Sequence, residues 1–297
     1  MDIYQSQRVR SFNRRVTLRT GLLDGSYLGR GRPLGQARLL FEIGPHGADL
    51  SALRDRLSLD SGYMSRLLKS LASQGLVAIE DDPEDRRRRR LTLTPRGFEE
   101  WHAYDRMSDE FAYSLLQPLS DAQRQRLVSA MAEVETLMAA ASVSIAPESA
   151  DSQDARVCVE AYFRELSERF EEGFDPDNGG YAGTPTPDDE SMFLVARLDG
   201  LAVGCGMLKK LDTETAEIKR MWVSPDARGL GIARRLLESL ETLAAGSNVQ
   251  RIRLDTNRSL GEAQALYGKA GYEAIERYND NPYADFWFEK VLETRKT

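Results

Sequence analysis

A glycine-rich segment in the second half of the chain has the residue types to bind an anion. It reads Ser224-Pro225-Asp226-Ala227-Arg228-Gly229-Leu230-Gly231-Ile232-Ala233. An apolar strand is predicted before it, at 217–223, and an amphipathic helix after it, at 232–243. Glycines let backbone N–H groups approach an anion closely, and a helix N-terminus adds a favourable dipole. The segment therefore predicts a loop that binds phosphate groups.

Two common phosphate-binding motifs do not fit this loop. A dinucleotide fingerprint needs a third glycine and a later acidic residue, and a Walker A loop needs Gly-Lys-Ser/Thr. The pattern Arg228-x-x-Gly231-x-Ala233 instead resembles the pyrophosphate loop of the GNAT superfamily of N-acetyltransferases. The resemblance implies acetyl-CoA as cofactor. It implies a cofactor-binding set of Met221, Val223, Arg228, Gly229, Leu230, Gly231, Ile232 and Ala233, acting through backbone groups.

A second segment resembles another GNAT motif. Asp255-Thr256-Asn257 ends a predicted strand, and Tyr267-x-x-x-Gly271-Tyr272 follows. The resemblance implies that Asn257 hydrogen-bonds the cofactor and that Tyr267 protonates the leaving thiolate. Tyr267 could alternatively be a packing residue of its helix. The GNAT resemblance covers about residues 142–292.

Transfer of an acyl group from a thioester to an amine needs a base, an oxyanion donor and an acid. The chain offers no Ser-His-Asp or Cys-His arrangement, which favours direct attack by the amine. We expect a backbone N–H near Met221–Val223 to be the oxyanion donor. Glu217 begins the strand on which some GNAT relatives carry a carboxylate base that acts directly or through water. The alternative for Glu217 is a pairing with Lys219 or Arg220.

Two residues are candidates for binding the acceptor. Arg169 lies at the end of a helix predicted at 154–172, next to a loop that usually borders the acceptor pocket in GNAT proteins. Its guanidinium has the geometry to bind a carboxylate bidentately, which would favour an amino acid over other small-molecule amines. Tyr181 lies in the loop itself. A surface charge is the alternative for Arg169.

The first half of the chain has the pattern of a winged helix-turn-helix. Asp49 is placed to cap one helix, and a second helix at 61–74 has a single apolar face and ends at Gly75. Two short strands, at 76–80 and 91–94, flank a run of five arginines, Arg86–Arg90. The apolar face of the second helix consists of Met64, Leu67, Leu68 and Leu71.

These motifs resemble the DNA-binding core of the MarR family, over about residues 30–140. They include Ser65-Arg66, Gln74-Gly75-Leu76-Val77, Asp82-Pro83, Asp85-Arg86-Arg87 and Leu91-Thr92-Leu93-Thr94-Pro95-Arg96-Gly97. The resemblance implies a homodimer, formed through the flanking helices, that binds double-stranded DNA. The candidate DNA contacts are Ser61, Tyr63, Ser65, Arg66 and Lys69 on the helix and Arg86, Arg87, Arg88 and Arg89 in the wing. Asp85 would hold an arginine at the base of the wing. The alternative is a solvated surface on a module used only for dimerisation and docking.

Composition agrees with two domains that have separate roles. The chain has 297 residues and a net charge of −7. Residues 1–145 hold 21 basic and 19 acidic residues (+2), whereas residues 146–297 hold 19 and 28 (−9). We predict a mainly α winged-helix domain at 1–141 and an α+β GNAT domain with a mixed central sheet at 142–297. The polar, proline-containing stretch 146–152 marks the boundary.

Several other features restrict the class of protein. No apolar run is long enough for a membrane helix, and no apolar segment follows the basic N-terminus, so we expect a cytoplasmic protein with no membrane partner. Cys158 and Cys205 are predicted to be buried thiols, and no metal site is expected.

The leading hypothesis is a bifunctional protein. It would join a DNA-binding regulator to an acetyltransferase acting on a small amine or amino acid. One alternative is a regulator whose GNAT domain only senses acyl-CoA. Another is a protein-lysine acetyltransferase recruited to DNA.

Overall fold

The computed structural model describes residues 2–21, 25–81, 88–171, 173–176 and 191–292. The chain divides into two compact units, Met1–Val128 and Ser129–Thr297. The division falls within the helix Asp121–Ser142. The domain boundary predicted between residues 141 and 142 therefore stays a prediction. No helix in these ranges is long and apolar enough to cross a membrane.

The first unit is mostly helical and contains a small antiparallel sheet. Its elements are α1 (Ile3–Arg19), α2 (Leu34–Ile43), β1 (Ala48–Asp49), α3 (Leu50–Arg56), α4 (Ser61–Ser73), β2 (Val77–Asp81), β3 (Arg89–Leu93), α5 (Pro95–Leu116) and the start of α6 (Asp121–Ser142). The strands of the sheet are ordered β1-β3-β2.

Local sequence explains the centre of this unit. The Asp49 carboxylate accepts a hydrogen bond from the Ala52 N–H and caps α3, as predicted. Asp60 caps α4 in the same way, through the Tyr63 N–H. Gly75 adopts the left-handed conformation (φ 69°) that ends α4. The predicted apolar face of α4 is buried in a core that it shares with α2, α3, β2 and β3.

The second unit contains a seven-stranded sheet with helices on both faces. Its elements are β4 (Ser144–Glu148), α7 (Gln153–Arg169), β5 (Ser191–Leu198), β6 (Leu201–Lys210), β7 (Thr215–Val223), α8 (Ile232–Gly246), β8 (Arg251–Thr256), α9 (Gly261–Lys269), β9 (Glu273–Ile275) and β10 (Phe286–Val291). The strand order is β4-β5-β6-β7-β8-β10-β9. Only the β7–β8 pair is parallel, so among the described residues the sheet is mixed, as predicted.

Alternating residues send the strands' side chains to opposite faces of this sheet. Leu194 packs with α8 on one face, whereas Phe193 and Val195 pack with α7 on the other. Cys158 and Cys205 lie in the core on the α7 side, where both are buried free thiols, as predicted.

The stretch 146–152, predicted to mark the domain boundary, is partly a strand. β4 pairs with β5 from Ser144 opposite Arg197 to Glu148 opposite Phe193. Pro147 suggested a loop because proline cannot donate a hydrogen bond to a sheet. β4 is an edge strand, where one side of the backbone needs no partner and proline is tolerated.

Candidate functional site

Strands β7 and β8 pair over only part of their length. Three positions are paired, the last being Glu217 opposite Arg253, although β7 continues to Val223 and β8 to Thr256. Two cavities lie beyond this point, a large one of about 470 Å³ and a small one of about 50 Å³. Five residues line both, namely Tyr162, Met221, Leu260, Ala263 and Tyr267.

The large cavity brings together most of the residues predicted to bind the cofactor. Those that line it are Met221, Val223, Arg228, Gly229, Gly231, Ile232 and Ala233. Leu230 instead packs its side chain against the core, and Asn257 lines the small cavity. Residues from α7 and α9 complete the wall of the large cavity.

The loop before α8 has a conformation that requires glycine. Gly229 and Gly231 have φ values of 82° and 73°, in the left-handed region. A Cβ at either position would meet nothing within 4 Å, so backbone torsion rather than space requires glycine there. Gly231 is the N-cap of α8 and provides no side-chain cap. The first N–H groups of α8 are therefore available to an anion in the large cavity.

A β-bulge lies in β7 at the edge of both cavities. Met207 pairs with Lys219 and Cys205 with Trp222, so two residues of β7, Arg220 and Met221, face one of β6. Arg220 has a left-handed backbone (φ 55°). A bulge takes a residue out of the hydrogen-bond ladder and turns its backbone aside. This geometry can present a backbone N–H near Met221 to a bound thioester.

A chain of charged side chains links the segments around the large cavity. Arg228 donates to both oxygens of the Glu165 carboxylate at 2.6 Å. Glu165 also accepts hydrogen bonds from the Trp222 indole (2.9 Å) and Arg169 (3.0 Å). Burial raises the pKa of Glu165, but hydrogen bonds from Arg228, Trp222 and Arg169 together outweigh burial and hold this pKa below its ordinary value. Glu165 therefore connects α7 to the phosphate loop.

Tyr267 lies between the two cavities. It is 5% exposed and packs against Tyr272 and Phe288. Among the described residues, no group hydrogen-bonds its hydroxyl. Burial, and to a lesser degree the charge of Asp255, raise the pKa of Tyr267 well above its ordinary value. The hydroxyl therefore stays protonated and can donate a hydrogen bond.

Glu217, the predicted base, lines neither cavity. It is 4% exposed, and its carboxylate accepts hydrogen bonds from Tyr278 (2.8 Å) and Asn279 (3.0 Å). It also forms an ion pair with Lys219 at 3.2 Å. The alternative of pairing with Lys219 is thus realised. The geometry gives Glu217 no direct access to an acceptor in either cavity.

The sequence pattern did not single out Asp255 as a site residue. Asp255 is the second-last residue of β8, two positions before the predicted ligand Asn257, and it lines the small cavity. Asn279 and Asn281 each donate to one of its oxygens, at 2.6 and 2.7 Å. Its position at the C-terminal end of a strand beside the phosphate loop was the available signal, because such ends collect functional side chains.

Other predicted site residues have partners within the protein. The Asn257 amide donates to the Tyr283 carbonyl and accepts from Ser259. Arg169 lines the large cavity, but it binds Glu165, Glu262 and the Ser259 carbonyl. The expected role of Arg169 in holding an acceptor carboxylate stays a prediction, and the ion pairs with Glu165 and Glu262 count against it because they already neutralise the guanidinium. Tyr181 lies outside the described residues.

In the first unit, five of the predicted DNA contacts lie on the exposed surface of α4. They are Ser61, Tyr63, Ser65, Arg66 and Lys69, and all five are exposed. A cleft of about 640 Å³ runs beside them, and its lining includes Lys69 and Arg89. Arg88 and Arg89 are exposed at the start of β3, where Arg89 pairs with Asp81 at 2.9 Å. Arg86, Arg87 and Asp85 lie outside the described residues.

Comparison with known proteins finds a family match within each unit. Residues 155–272 match the acetyltransferase (GNAT) family, and residues 30–88 match the MarR family. The chain therefore contains a MarR-like region and a GNAT-like region. Both predicted resemblances are confirmed, and so is the predicted fold class. Among the described residues, no group of three or more His, Cys, Asp or Glu could hold a metal ion.

Individual relatives resemble parts of the MarR–GNAT chain. An IAA acetyltransferase of Azospirillum brasilense is 45% identical over 82 residues, which are 27% of this chain and 53% of the relative. The uncharacterized HTH-type transcriptional regulator YdgJ of Bacillus subtilis is 29% identical over 104 residues, 34% of this chain and 63% of that one. The chain spans about half the length of most of the curated relatives it matches.

A solved structure also resembles the GNAT domain. The PaiA N-acetyltransferase of Thermoplasma acidophilum, in complex with coenzyme A, is 18% identical with a TM-score of 0.42. The match covers 51% of this chain and 99% of that one.

Proposed function

We propose that the GNAT domain transfers the acetyl group of acetyl-CoA directly to the amine of a small molecule. The observation that carries this proposal is the large cavity, which is lined by an uncapped helix N-terminus, the glycine loop and Tyr267. An anion-binding loop and a protonated acid in one cavity suit a long cofactor with a diphosphate and a thioester. The amino-acid acceptor predicted from Arg169 loses its main support, because Arg169 is engaged by Glu165 and Glu262.

Each residue set would have a distinct task. The N–H groups of the loop at Gly229 and Gly231 would hold the diphosphate, and β7 would align the pantetheine arm. A bound acetyl-CoA would supply the acyl group as an activated thioester. The N–H beside the bulge at Met221 would stabilise the oxyanion, and Tyr267 would give a proton to the departing sulfur. Asn257 would support the cofactor indirectly, because its hydrogen bonds with Tyr283 and Ser259 fix the loop that follows β8.

The MarR region is proposed to bind double-stranded DNA as a homodimer in the cytoplasm. The exposed cations Arg66 and Lys69 on α4 support DNA binding, since they face away from the core. Helix α1 has no buried residue, and Val9, Phe12 and Val16 form an exposed apolar face at helical spacing. A second copy of the chain would cover that face.

Two other functions remain as alternatives to this proposal. The GNAT domain would act only as a sensor if it bound acyl-CoA without turnover. It would act on protein lysines if a peptide were the preferred acceptor, and the charge of −9 on residues 146–297 favours a cationic acceptor of either kind.

The test follows thiol release from acetyl-CoA with a panel of alkylamines, amino acids and lysine peptides. We expect turnover with a small amine and a loss of roughly a hundredfold in kcat for Tyr267→Phe, with unchanged affinity for CoA. Tight CoA binding without turnover on any acceptor would establish the sensor instead. Full activity of Tyr267→Phe would remove this residue from the mechanism.

A further inference from the structure

The small cavity contains a carboxylate that the surrounding residues hold in a fixed orientation. Asn279 donates to Oδ2 of Asp255 at 2.6 Å, and Asn281 donates to Oδ1 at 2.7 Å. Asn279 is itself fixed, because its oxygen accepts from the Trp287 indole at 2.9 Å. A carboxylate has about four acceptor positions, so two hydrogen bonds leave room for a further donor. Asp255 can accept that donor from the cavity that it lines.

We propose that the small cavity is the acceptor subsite, that it admits a primary amine on an unbranched carbon, and that Asp255 accepts the proton of this amine. This inference rests on the proposed acetyl transfer and makes it more specific. Asp255 replaces Glu217 as the base, and primary alkylamines replace amino acids as the acceptor class.

The size of the cavity limits the acceptor. Its volume of about 50 Å³ is enough for roughly three to five water-sized groups, which corresponds to an amino group and a short alkyl stem. Most α-amino acids carry both a carboxylate and a side chain on the carbon next to nitrogen, so they need a wider site there than an unbranched alkyl stem does. Arg169 does not line this cavity. Of the two cations among the described residues that do, Lys219 is paired with Glu217 at 3.2 Å, and the Arg220 guanidinium lies over the Phe163 ring.

The walls of the small cavity combine aromatic faces with two cations, Lys219 and Arg220. Among the described residues, three lining side chains besides Tyr267 are aromatic, namely Tyr162, Phe170 and Tyr283. Tyr283 is held in place, since its hydroxyl accepts a hydrogen bond from the Asp175 N–H at 2.9 Å. Aromatic faces attract ammonium groups and pack against alkyl stems. The amine would therefore enter with nitrogen first, toward Asp255 and the adjoining thioester site.

The reaction balances with these groups. The amine nitrogen forms a bond to the thioester carbon, and the carbon–sulfur bond breaks. One proton of the ammonium passes to Asp255 and then to water. A second proton leaves nitrogen as the adduct collapses and replaces the one that Tyr267 gives to the thiolate. The products are the N-acetyl amine, free CoA thiol and one proton.

Among the described residues, the titratable or charged groups around Asp255 are Glu217, Lys219, Tyr267 and Tyr278, together with Arg220, which lines the same cavity. Burial and the negative charge of Glu217 raise the pKa of Asp255, while the hydrogen bond from Asn279 and the charge of Lys219 oppose them. Tyr267 and Tyr278 also face it, and both stay protonated because burial raises their pKa values. A carboxylate with a raised pKa is a better proton acceptor than an ordinary one.

The first experiment compares two isomeric acceptors, n-butylamine and sec-butylamine, with acetyl-CoA and the full-length protein. The isomers have the same atoms and similar basicity, and they differ only in branching next to nitrogen. We expect kcat/KM to be about tenfold or more higher for n-butylamine, the size of effect that one misplaced carbon produces in a tight site. Equal rates, or a preference for amino acids, would overturn the proposed acceptor class.

The second experiment compares Asp255→Asn with Glu217→Gln. We expect Asp255→Asn to lower kcat/KM by roughly a hundredfold or more, with unchanged CoA affinity. Its defect should shrink at high pH, where more of the amine is free base. Glu217→Gln should keep activity and move the acidic limb of the pH profile to lower pH, because it removes a negative charge beside Asp255. Glu273→Gln, at an exposed position in β9, is the charge-matched control.

The possible outcomes distinguish failure of the role of Asp255 from failure of the proposed acetyl transfer. Loss of activity in Glu217→Gln, with a functional Asp255→Asn, would make Glu217 the base and overturn the inference. If Asp255→Asn does not fold, the direction of the pH shift in Glu217→Gln still decides. No turnover by the wild type on any amine would defeat the proposed function itself, and this inference with it.

Discussion

The Arg228 guanidinium lies 2.6 Å from both carboxylate oxygens of Glu165. This contact joins the phosphate loop of the GNAT domain to helix α7, 63 residues earlier in the chain. The Arg228 side chain also donates to the Val223 carbonyl at 3.2 Å, at the end of β7. The side chain of the first residue in the loop motif therefore fixes the loop to the protein, while the backbone remains available for the cofactor.

Glu165→Gln should weaken acetyl-CoA binding. The change removes the charge that holds Arg228 and Arg169, so the loop loses its attachment to α7. We expect the Kd for CoA to rise about three- to tenfold, since the Arg228 side chain is partly exposed and its ion pair is partly screened. Isothermal titration calorimetry measures this change. Glu160→Gln, at an exposed position of the same helix α7, should leave the Kd unaltered.

Gly206→Ala should disturb the bulge of β7. A Cβ at residue 206 would lie 2.9 Å from both Leu240 Cδ1 and Met221 Sδ. We expect a loss of about 1–3 kcal/mol in the free energy of unfolding, because overpacking forces neighbouring groups apart. Chemical denaturation gives this value. Gly246→Ala has open space around its Cβ, and a comparable loss there would contradict the steric explanation.

DNA binding by the MarR region should depend strongly on salt. Each phosphate contact releases counterions, so affinity falls as salt rises. Lys69→Ala should weaken binding to all sequences equally and reduce the slope of log affinity against log salt by about one. Fluorescence anisotropy at several salt concentrations measures the slope. Lys209→Ala, an exposed lysine of the GNAT domain, is the control, and an affinity insensitive to salt would refute DNA binding through these cations.

Glu100 should make the MarR region less stable in acid. Hydrogen bonding from Arg30, with a further contribution from Arg32, holds the pKa of Glu100 below its ordinary value against the effect of burial. A lowered folded-state pKa stabilises the protein above the unfolded value of about 4.3, and this stabilisation is lost as pH falls through the folded value.

The corresponding variant is Glu100→Gln. It should cost about 1–3 kcal/mol at neutral pH and show a shallower decline in stability below about pH 4.3 than the wild type. Thermal or urea denaturation across pH tests both statements. Glu99→Gln at the adjacent exposed position controls for the change in net charge, and parallel acid limbs in wild type and Glu100→Gln would contradict the assignment.

Local signals in the sequence predicted many elements of the fold. Asp49, Gly75 and Gly231 act through neighbouring backbone groups, so their roles follow from a few consecutive residues. The apolar spacing of α4 and α8 likewise predicted buried faces. The strand β4 was missed, because whether Pro147 is tolerated depends on its place at the edge of a sheet, which the local sequence does not reveal.

The amino-acid sequence by itself determined the two families, the phosphate loop and the acid candidate Tyr267, since motif spacing and backbone torsion are local properties. Only the tertiary structure decided which charged side chains are free to act on a ligand and which are engaged within the protein. Arg169 meets Glu262 across 93 residues, and Glu217 meets Asn279 across 62. Side chains so distant in sequence neutralise or satisfy one another only after the sheet has formed. The same folding of the sheet places Asp255, rather than Glu217, at the cavity beside Tyr267.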